Sequence, residues 1–118
     1  MPVQLTASAS GRVVVVALIG EHDLATAEPL RRTLLELSSH VSLIVIDFDA
    51  TEFMDSSVMG VLVGAAKRAA RHGNRVIGVN ARGIVLKAMA MTGVDALLQV
   101  PTTDVDLDQE LSELLYRG

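Results

Sequence analysis

Three polar residues whose side chains could do chemistry, Asp55, Ser56 and Ser57, stand in a row between two apolar runs. LIVIDF precedes them and VMGVLVGAA follows, an order that predicts a strand, a loop and a helix. A serine nucleophile here would need glycine on both sides in a GxSxG turn, but the residues read MDSSV. A base would have to come from His72 or His22, and nothing in the sequence places either near Ser57. We therefore predict that the chain is not an enzyme.

The same three residues fit the start of a helix. Aspartate and serine are among the best N-cap residues, so either Asp55 or Ser56 would cap the helix that follows. One cap accounts for only one of the polar side chains, which leaves a serine for a second role. Because a helix N-terminus offers free N–H groups and a positive dipole end, it tolerates a phosphate, and a phosphorylation site is the second interpretation.

The other residue types give no sign of a metal, nucleotide or nucleic-acid site. There are no cysteines, and His22, His40 and His72 lie far apart without HExxH spacing. Neither a P-loop nor GxGxxG occurs, and Gly60 and Gly64 are interpreted as small residues that let a helix pack closely on a sheet. The net charge of -4 and the 3% aromatic content disfavour nucleic-acid binding. We predict no cofactor and no metal.

The length and composition are those of one globular domain. The 118 residues match the usual domain size, so we assign residues 1–118 to a single domain. Hydrophobic residues make up 50%, too much for a disordered chain. No apolar run approaches the roughly 20 residues of a membrane-spanning helix, and the N-terminus lacks the features of a signal peptide. We expect no membrane span and a cytoplasmic location.

Apolar runs rich in β-branched residues predict the strands. They are Val3–Thr6, Val13–Ile19, Leu43–Phe48, Arg75–Val79 and Leu97–Val100. A turn at Ser8–Gly11 predicts that the first two form a hairpin. The strands alternate with helices and are buried on both faces. This pattern predicts an α/β fold, a mixed and mainly parallel β-sheet of about four to five strands with about four α-helices packed on it.

Cap residues and helical spacing of apolar side chains predict the helices. The first is capped by Asp23 or Thr26, has Pro29 in its first turn and ends near Ser38. The second runs from the DSS segment to Gly73. Its predicted apolar positions are Val58, Leu62, Ala65 and Ala69. The third covers Ile84–Met91 and is closed by Gly93, and the last is capped by Thr103 or Asp104. The last helix has apolar positions at Leu107, Leu111, Leu114 and Leu115.

Four segments together resemble a known family. They are GEHDLATAEPL at Gly20–Leu30, VIDFDATEFMDSS at Val45–Ser57, the glycine-bearing helix that follows, and MTGVDALLQV at Met91–Val100. In this order and at these separations they are similar to the STAS domain family, and within it to the stand-alone bacterial anti-sigma factor antagonists. The resemblance extends from Val13 to about Val100. It implies a single STAS-like domain.

The resemblance also implies a switch that works by binding. Members of this group bind an anti-sigma factor, often an ATP-dependent serine kinase, and so release the sigma factor to activate transcription. The kinase phosphorylates a serine at the start of the second helix, and the complex then dissociates. A phosphatase removes the phosphate and resets the switch. By the motif that serine is Ser57, with Ser56 as the structural cap and Asp23 as a nearby acidic residue. Partner binding is expected at Asp23, Asp55, Ser56, Ser57, Val58 and Met59.

The chain departs from the family pattern directly after Ser57. The family has glycine there, followed by an aliphatic residue and another glycine, whereas this chain has Val58, Met59 and Gly60. A β-branched side chain at that position would crowd a kinase active site or set specificity for a different partner. The departure motivates one alternative, a STAS scaffold or adaptor subunit of a transport or signalling complex that is never phosphorylated. A nucleotide-binding module is a second alternative, which rests on analogy alone.

Overall fold

The computed structural model describes residues 2–110, along which strands and helices alternate. In chain order the elements are β1 (Val3–Ala7), β2 (Val13–Leu18), β3 (Gly20–His22), α1 (Leu24–Ser38), β4 (Leu43–Asp47), β5 (Thr51–Met54), α2 (Ser56–Arg71), β6 (Arg75–Val79), α3 (Gly83–Thr92) and α4 (Val94–Leu97). A further helical stretch occupies 107–110. Within residues 2–110, every helix is too short or too polar to cross a membrane.

Four strands form the main sheet in the order β1-β2-β4-β6. β1 and β2 form an antiparallel hairpin, whereas β2, β4 and β6 run parallel to one another. The central strands β2 and β4 bury side chains on both faces, which accounts for their nearly continuous runs of apolar, mostly β-branched residues. β3 and β5 pair in parallel as a separate two-stranded sheet. The predicted mixed, mainly parallel sheet is confirmed.

Helices α1 to α4 pack on one face of the main sheet and build the larger core with it. Large side chains that are fully buried there are Leu18, Leu30, Leu34, Ile44, Ile46, Phe48, Leu62, Met89 and Leu98. Helix α2 buries its predicted apolar positions. Gly60 and Gly64 lie on its exposed side, where an added Cβ would meet no atom within 4 Å. The prediction that these glycines allow close packing is therefore wrong.

The opposite face of the sheet is also apolar, and residues 101–110, which we call the strap, lie against it. The side chains that meet on this face are those of Val15, Val45, Val79, Val105 and Leu107. Asn80 anchors the strap, because its Nδ2 donates to the Val105 carbonyl at 3.1 Å and its Oδ1 accepts from the Val105 N–H at 2.6 Å. Asn80 has a φ of 63°, a left-handed conformation that asparagine adopts more readily than most residues.

The segment after Gly93 differs from the prediction. The sequence predicts a strand at Leu97–Val100, but Val94–Leu97 is a short helix. Gly93 ends α3 with a φ of 78° and redirects the chain, so that Leu98 enters the core. The segment contacts strand β6 through a backbone hydrogen bond, in which the Leu98 carbonyl accepts from the Gly78 N–H at 2.9 Å.

Smaller differences concern the ends of elements. β3 and β5 are too short to give a periodic signal, so the sequence predicts neither. Pro29 lies inside α1 rather than in its first turn, because the helix already begins at Leu24. The last helical stretch is capped by Asp106, whose Oδ1 accepts from the Gln109 N–H at 3.2 Å, and not by Thr103 or Asp104. The predicted positions Leu111, Leu114 and Leu115 lie outside the described residues.

Candidate functional site

Two helices begin side by side at one end of the β3–β5 pair. His22 and Met54 are partners in the parallel register, and each is followed directly by an aspartate that caps a helix. The Asp55 N–H donates to the His22 carbonyl at 3.2 Å, which ties the two helix starts together. The structure therefore brings Asp23 and Asp55, which are distant in sequence, to neighbouring positions.

Asp23 caps α1 with a reciprocal pair of hydrogen bonds. Its Oδ1 accepts from the Ala25 N–H at 2.9 Å, and the Thr26 hydroxyl accepts from the Asp23 N–H at 3.1 Å. This is a capping box with threonine in place of the usual Glu or Gln. The Asp23 side chain is exposed, so its charge remains available to a partner.

Asp55 caps α2 and occupies the amide groups at the start of that helix. Its Oδ1 accepts from the Ser57 N–H at 3.0 Å and from the Val58 N–H at 3.2 Å. Of the two predicted caps, Asp55 is therefore the one used. The assignment of Ser56 as the structural cap is wrong, since Ser56 is the first residue of α2 and its side chain is exposed. A phosphate on the neighbouring Ser57 would have to compete with a carboxylate for these amides.

The residues around the serines divide between surface and core. Ser56 is exposed and Ser57 is half-buried. Val58 and Met59 are only 0% and 5% exposed and belong to the main core. The Val58 side chain therefore does not project toward an approaching enzyme. Any part that Val58 and Met59 play in partner binding would be indirect, through the position of the helix start.

Two exposed apolar side chains flank the site, and the sequence reasoning misses both. Leu24 is 74% exposed at the first position of α1, and Phe53 is 43% exposed on β5. For Phe53 the sequence gives no signal of exposure, since a phenylalanine is expected to be buried. For Leu24 a signal exists, since it follows a cap residue and lies off the apolar stripe of α1. We call the set Asp23, Leu24, Phe53, Ser56 and Ser57 the helix-start surface.

Several carboxylates are close to this surface in sequence or in strand register. Glu21 is paired with Phe53 in the β3–β5 register, and Glu52 precedes Phe53; both side chains are exposed. Together with Asp23 and Asp55 they make the residues in and next to the helix-start surface predominantly acidic. A surface with exposed apolar side chains and an excess of carboxylates is complementary to a protein patch that is apolar and basic.

The histidines do not complete a catalytic arrangement with Ser57. His72 lies at the other end of α2, where its Nδ1 is 2.9 Å from the Arg68 carbonyl. His22 is fully buried, and its Nε2 lies 3.1 Å from the Pro2 carbonyl oxygen. Its Nδ1 has no hydrogen-bond partner within residues 2–110. That same part of the chain contains no cluster of three or more metal-ligating side chains.

Comparisons with known proteins match this architecture. A family model described as the STAS domain matches residues 4–109. The chain is similar to the anti-sigma factor antagonist SpoIIAA in its unphosphorylated form, with 23% identity, a TM-score of 0.75 and 98% of each chain covered. The phosphorylated form of SpoIIAA from Bacillus gives 23% identity and a TM-score of 0.75, with 95% of this chain and 98% of that chain covered.

Two further solved structures are similar over almost the whole chain. An anti-sigma factor antagonist from Mycobacterium paratuberculosis has 25% identity and a TM-score of 0.71, with 94% of this chain and 92% of that chain covered. A sulfate transporter family protein from Wolinella succinogenes has 14% identity and a TM-score of 0.72, with 96% and 93% covered. At these identities the likeness concerns the fold.

Proposed function

Because this chain belongs to the STAS domain family, we propose that it is an anti-sigma factor antagonist switched off by phosphorylation at Ser57. It binds an anti-sigma factor of the serine-kinase type through the helix-start surface, and the sigma factor is released to activate transcription. The observation that carries the proposal is the position of Ser57 at the second residue of α2, where its N–H donates to the capping Asp55 and the start of α1 is the neighbouring helix start. A phosphatase acting on phosphorylated Ser57 resets the protein.

The proposed switch acts by charge. A phosphate adds about -1.5 to -2 charges at neutral pH. On Ser57 that charge would lie beside Asp55, whose carboxylate already holds the amides that a phosphate would use. In a complex the charge would also lose water while it stays next to the carboxylate of Asp55. A loss of about 3 kcal/mol is enough to weaken binding by about a hundredfold, since each 1.4 kcal/mol is tenfold.

In this proposal the chain is a binding protein and not a catalyst. Acyl transfer would need a base that touches Ser57, and the two histidines considered for that role lie at the far end of α2 or buried against Pro2. The partner supplies the kinase activity, and the antagonist supplies the acceptor hydroxyl. A protein that controls sigma factors works in the cytoplasm, which is where we place it.

Binding of the cognate anti-sigma kinase, co-purified from the native cell and identified by mass spectrometry, tests the proposal. We expect Ser57→Ala to bind as tightly as wild type and Ser57→Asp to bind at least about tenfold more weakly by calorimetry. Ser42→Asp is the matched control. It adds the same charge at an exposed serine just before β4, at the N-terminal end of that strand and away from the start of α2. Equal affinity of Ser57→Asp and wild type would show that Ser57 is not the switch.

A STAS adaptor that is never phosphorylated is the second candidate. It is favoured by Val58 in place of glycine and by the structural likeness to a sulfate transporter family protein. Under this alternative the helix-start surface binds a transport or signalling complex permanently. Intact-mass spectrometry of the protein from its native cell separates the two candidates. Phosphate on Ser57 would exclude the adaptor, and its absence under all growth conditions would favour it.

A further inference from the structure

β1 is an edge strand of the main sheet, and one side of its backbone faces away from the sheet. The Ser8 N–H donates to the Val13 carbonyl, and the Ile19 N–H donates to the Pro2 carbonyl, both at 2.8 Å. In an antiparallel pair the hydrogen-bonded residues alternate, so the inward-facing positions of β1 are the even-numbered ones. The N–H and C=O groups of Val3, Leu5 and Ala7 therefore point outward. Within residues 2–110 nothing bonds to them.

β1 lacks the features by which natural edge strands avoid pairing with a strand of another chain. Its residues, VQLTA, include no charge and no proline, and its register with β2 has no bulge. The other edge of the sheet, β6, is covered by Leu98, whose carbonyl accepts from Gly78. The contrast leaves β1 as the open edge of this sheet in the described part of the chain.

A groove that contains the exposed Leu5 side chain lies beside β1. Leu5 is paired with Val16, whose side chain belongs to the helix-covered core, so Leu5 points toward the same face. It is nevertheless 54% exposed, because α1 does not reach over it. A groove of about 560 Å³ runs there between β1 and Thr33 of α1. A strand added to β1 would cover Leu5 and fill part of this groove.

We propose that β1 pairs with β1 of a second copy of this chain, antiparallel and about a two-fold axis at Leu5. In this register Leu5 is opposite Leu5 and Val3 is opposite Ala7, so each outward N–H and C=O finds a partner. The strand is neutral, so no like charges meet, and the two Leu5 side chains contact each other across the axis. The inference is independent of the proposed function. One strand edge is smaller than a standard interface, so we expect a dissociation constant of about 0.1 mM.

Sedimentation velocity over a concentration series tests the pairing. We expect wild type to shift from monomer to dimer, and Leu5→Lys to weaken the dimer about tenfold or more, because it places two cations opposite each other. Gln4→Lys is the matched control, since it adds the same charge on the other face and opposite Thr6, and we expect it to dimerise within about threefold of wild type. Circular dichroism checks that both variants fold.

Amide hydrogen exchange locates the interface. Because the outward amides become bonded in the dimer, protection at Val3, Leu5 and Ala7 should rise with protein concentration, whereas Gln4 and Thr6 are protected throughout. Wild type that stays monomeric into the millimolar range would overturn the proposal. So would a dimer that survives Leu5→Lys, or one that forms while the outward amides stay unprotected.

Discussion

We expect the carboxylate of Asp55 and a negative charge on residue 57 to oppose each other, and a double-mutant cycle measures that opposition. Asp55 Oδ1 is fixed by the amides of Ser57 at 3.0 Å and Val58 at 3.2 Å, so it cannot move away without giving up the helix cap. The four proteins are wild type, Ser57→Asp, Asp55→Asn and the double variant. Asparagine keeps an acceptor at the cap position but removes its charge.

The size of the effect follows from the separation and exposure of the charges. Two unit charges about 4 Å apart repel by about 1 kcal/mol in water and by about 4 kcal/mol at an effective dielectric constant of about 20. Both residues are half-buried, so we expect the lower part of this range, about 1 to 2 kcal/mol, as the interaction energy. The attraction of a new carboxylate to the α2 dipole, about 0.3 to 1 kcal/mol, occurs in both backgrounds and cancels in the cycle.

Urea unfolding of the four proteins gives the interaction energy directly. Ser57→Asp should lower the free energy of unfolding in the wild-type background and be neutral or stabilising beside Asp55→Asn. Ser57→Asn, similar in volume to aspartate but uncharged, separates the effect of charge from that of size. An interaction energy below about 0.3 kcal/mol, the usual error of additivity, would refute the electrostatic reasoning and with it the proposed basis of the switch.

Three further predictions concern the fold around the site. Asn80→Ala removes both hydrogen bonds to the strap and puts alanine at a φ of 63°, so we expect urea unfolding to show a loss of about 2 to 4 kcal/mol; Asn80→Gly should lose about 1 kcal/mol less, and equal losses would argue against backbone strain. Gly78→Ala puts a Cβ 2.8 Å from a ring carbon of Phe48, so thermal unfolding should show a loss of about 1 to 3 kcal/mol, and an unchanged melting temperature would contradict this. The side-chain hydrogen bond from Arg31 lowers the pKa of Glu28 from 4.5 to about 2, so its contribution to stability is complete above pH 4.5 and is lost as the pH falls toward 2. Glu28→Gln should flatten that part of the acid-unfolding curve measured by circular dichroism, and an identical curve would contradict the assignment.

Much of the fold was predictable because local signals and burial agree. LIVID at β4 is both β-rich and buried, and the strand at Arg75–Val79 matches its prediction at both ends. The start of α2 was predictable within one residue, since Asp55 and Ser56 are both good caps. The sequence alone does not distinguish them, because the choice depends on which side chain accepts the hydrogen bonds from the Ser57 and Val58 amides.

The wrong predictions arise where distant residues decide a local structure. Leu97–Val100 has the composition of a strand, but the left-handed turn at Gly93 and the burial of Leu98 make the preceding residues helical. β3 and β5 exist because they pair with each other across the chain, and this pairing exposes Phe53. The same pairing brings Asp23 to Asp55, so the most informative feature of the site depends on a contact that no local pattern reveals.

Val58 bears on the proposed switch through the backbone and not through the surface. Its side chain is 0% exposed and its N–H is bound by Asp55, so it meets no approaching kinase while α2 is intact. Compared with glycine, a buried β-branched residue ties the first turn to the core and leaves the unfolded chain fewer conformations to gain. A kinase that must open this turn to reach Ser57 would have to break both cap bonds and withdraw Val58 from the core. A kinase that accepts Ser57 on an intact helix would meet no such cost. If phosphorylation requires the helix start to open, Val58 in place of glycine opposes the switch and favours the adaptor. If phosphorylation occurs on the intact helix, Val58 does not oppose the switch.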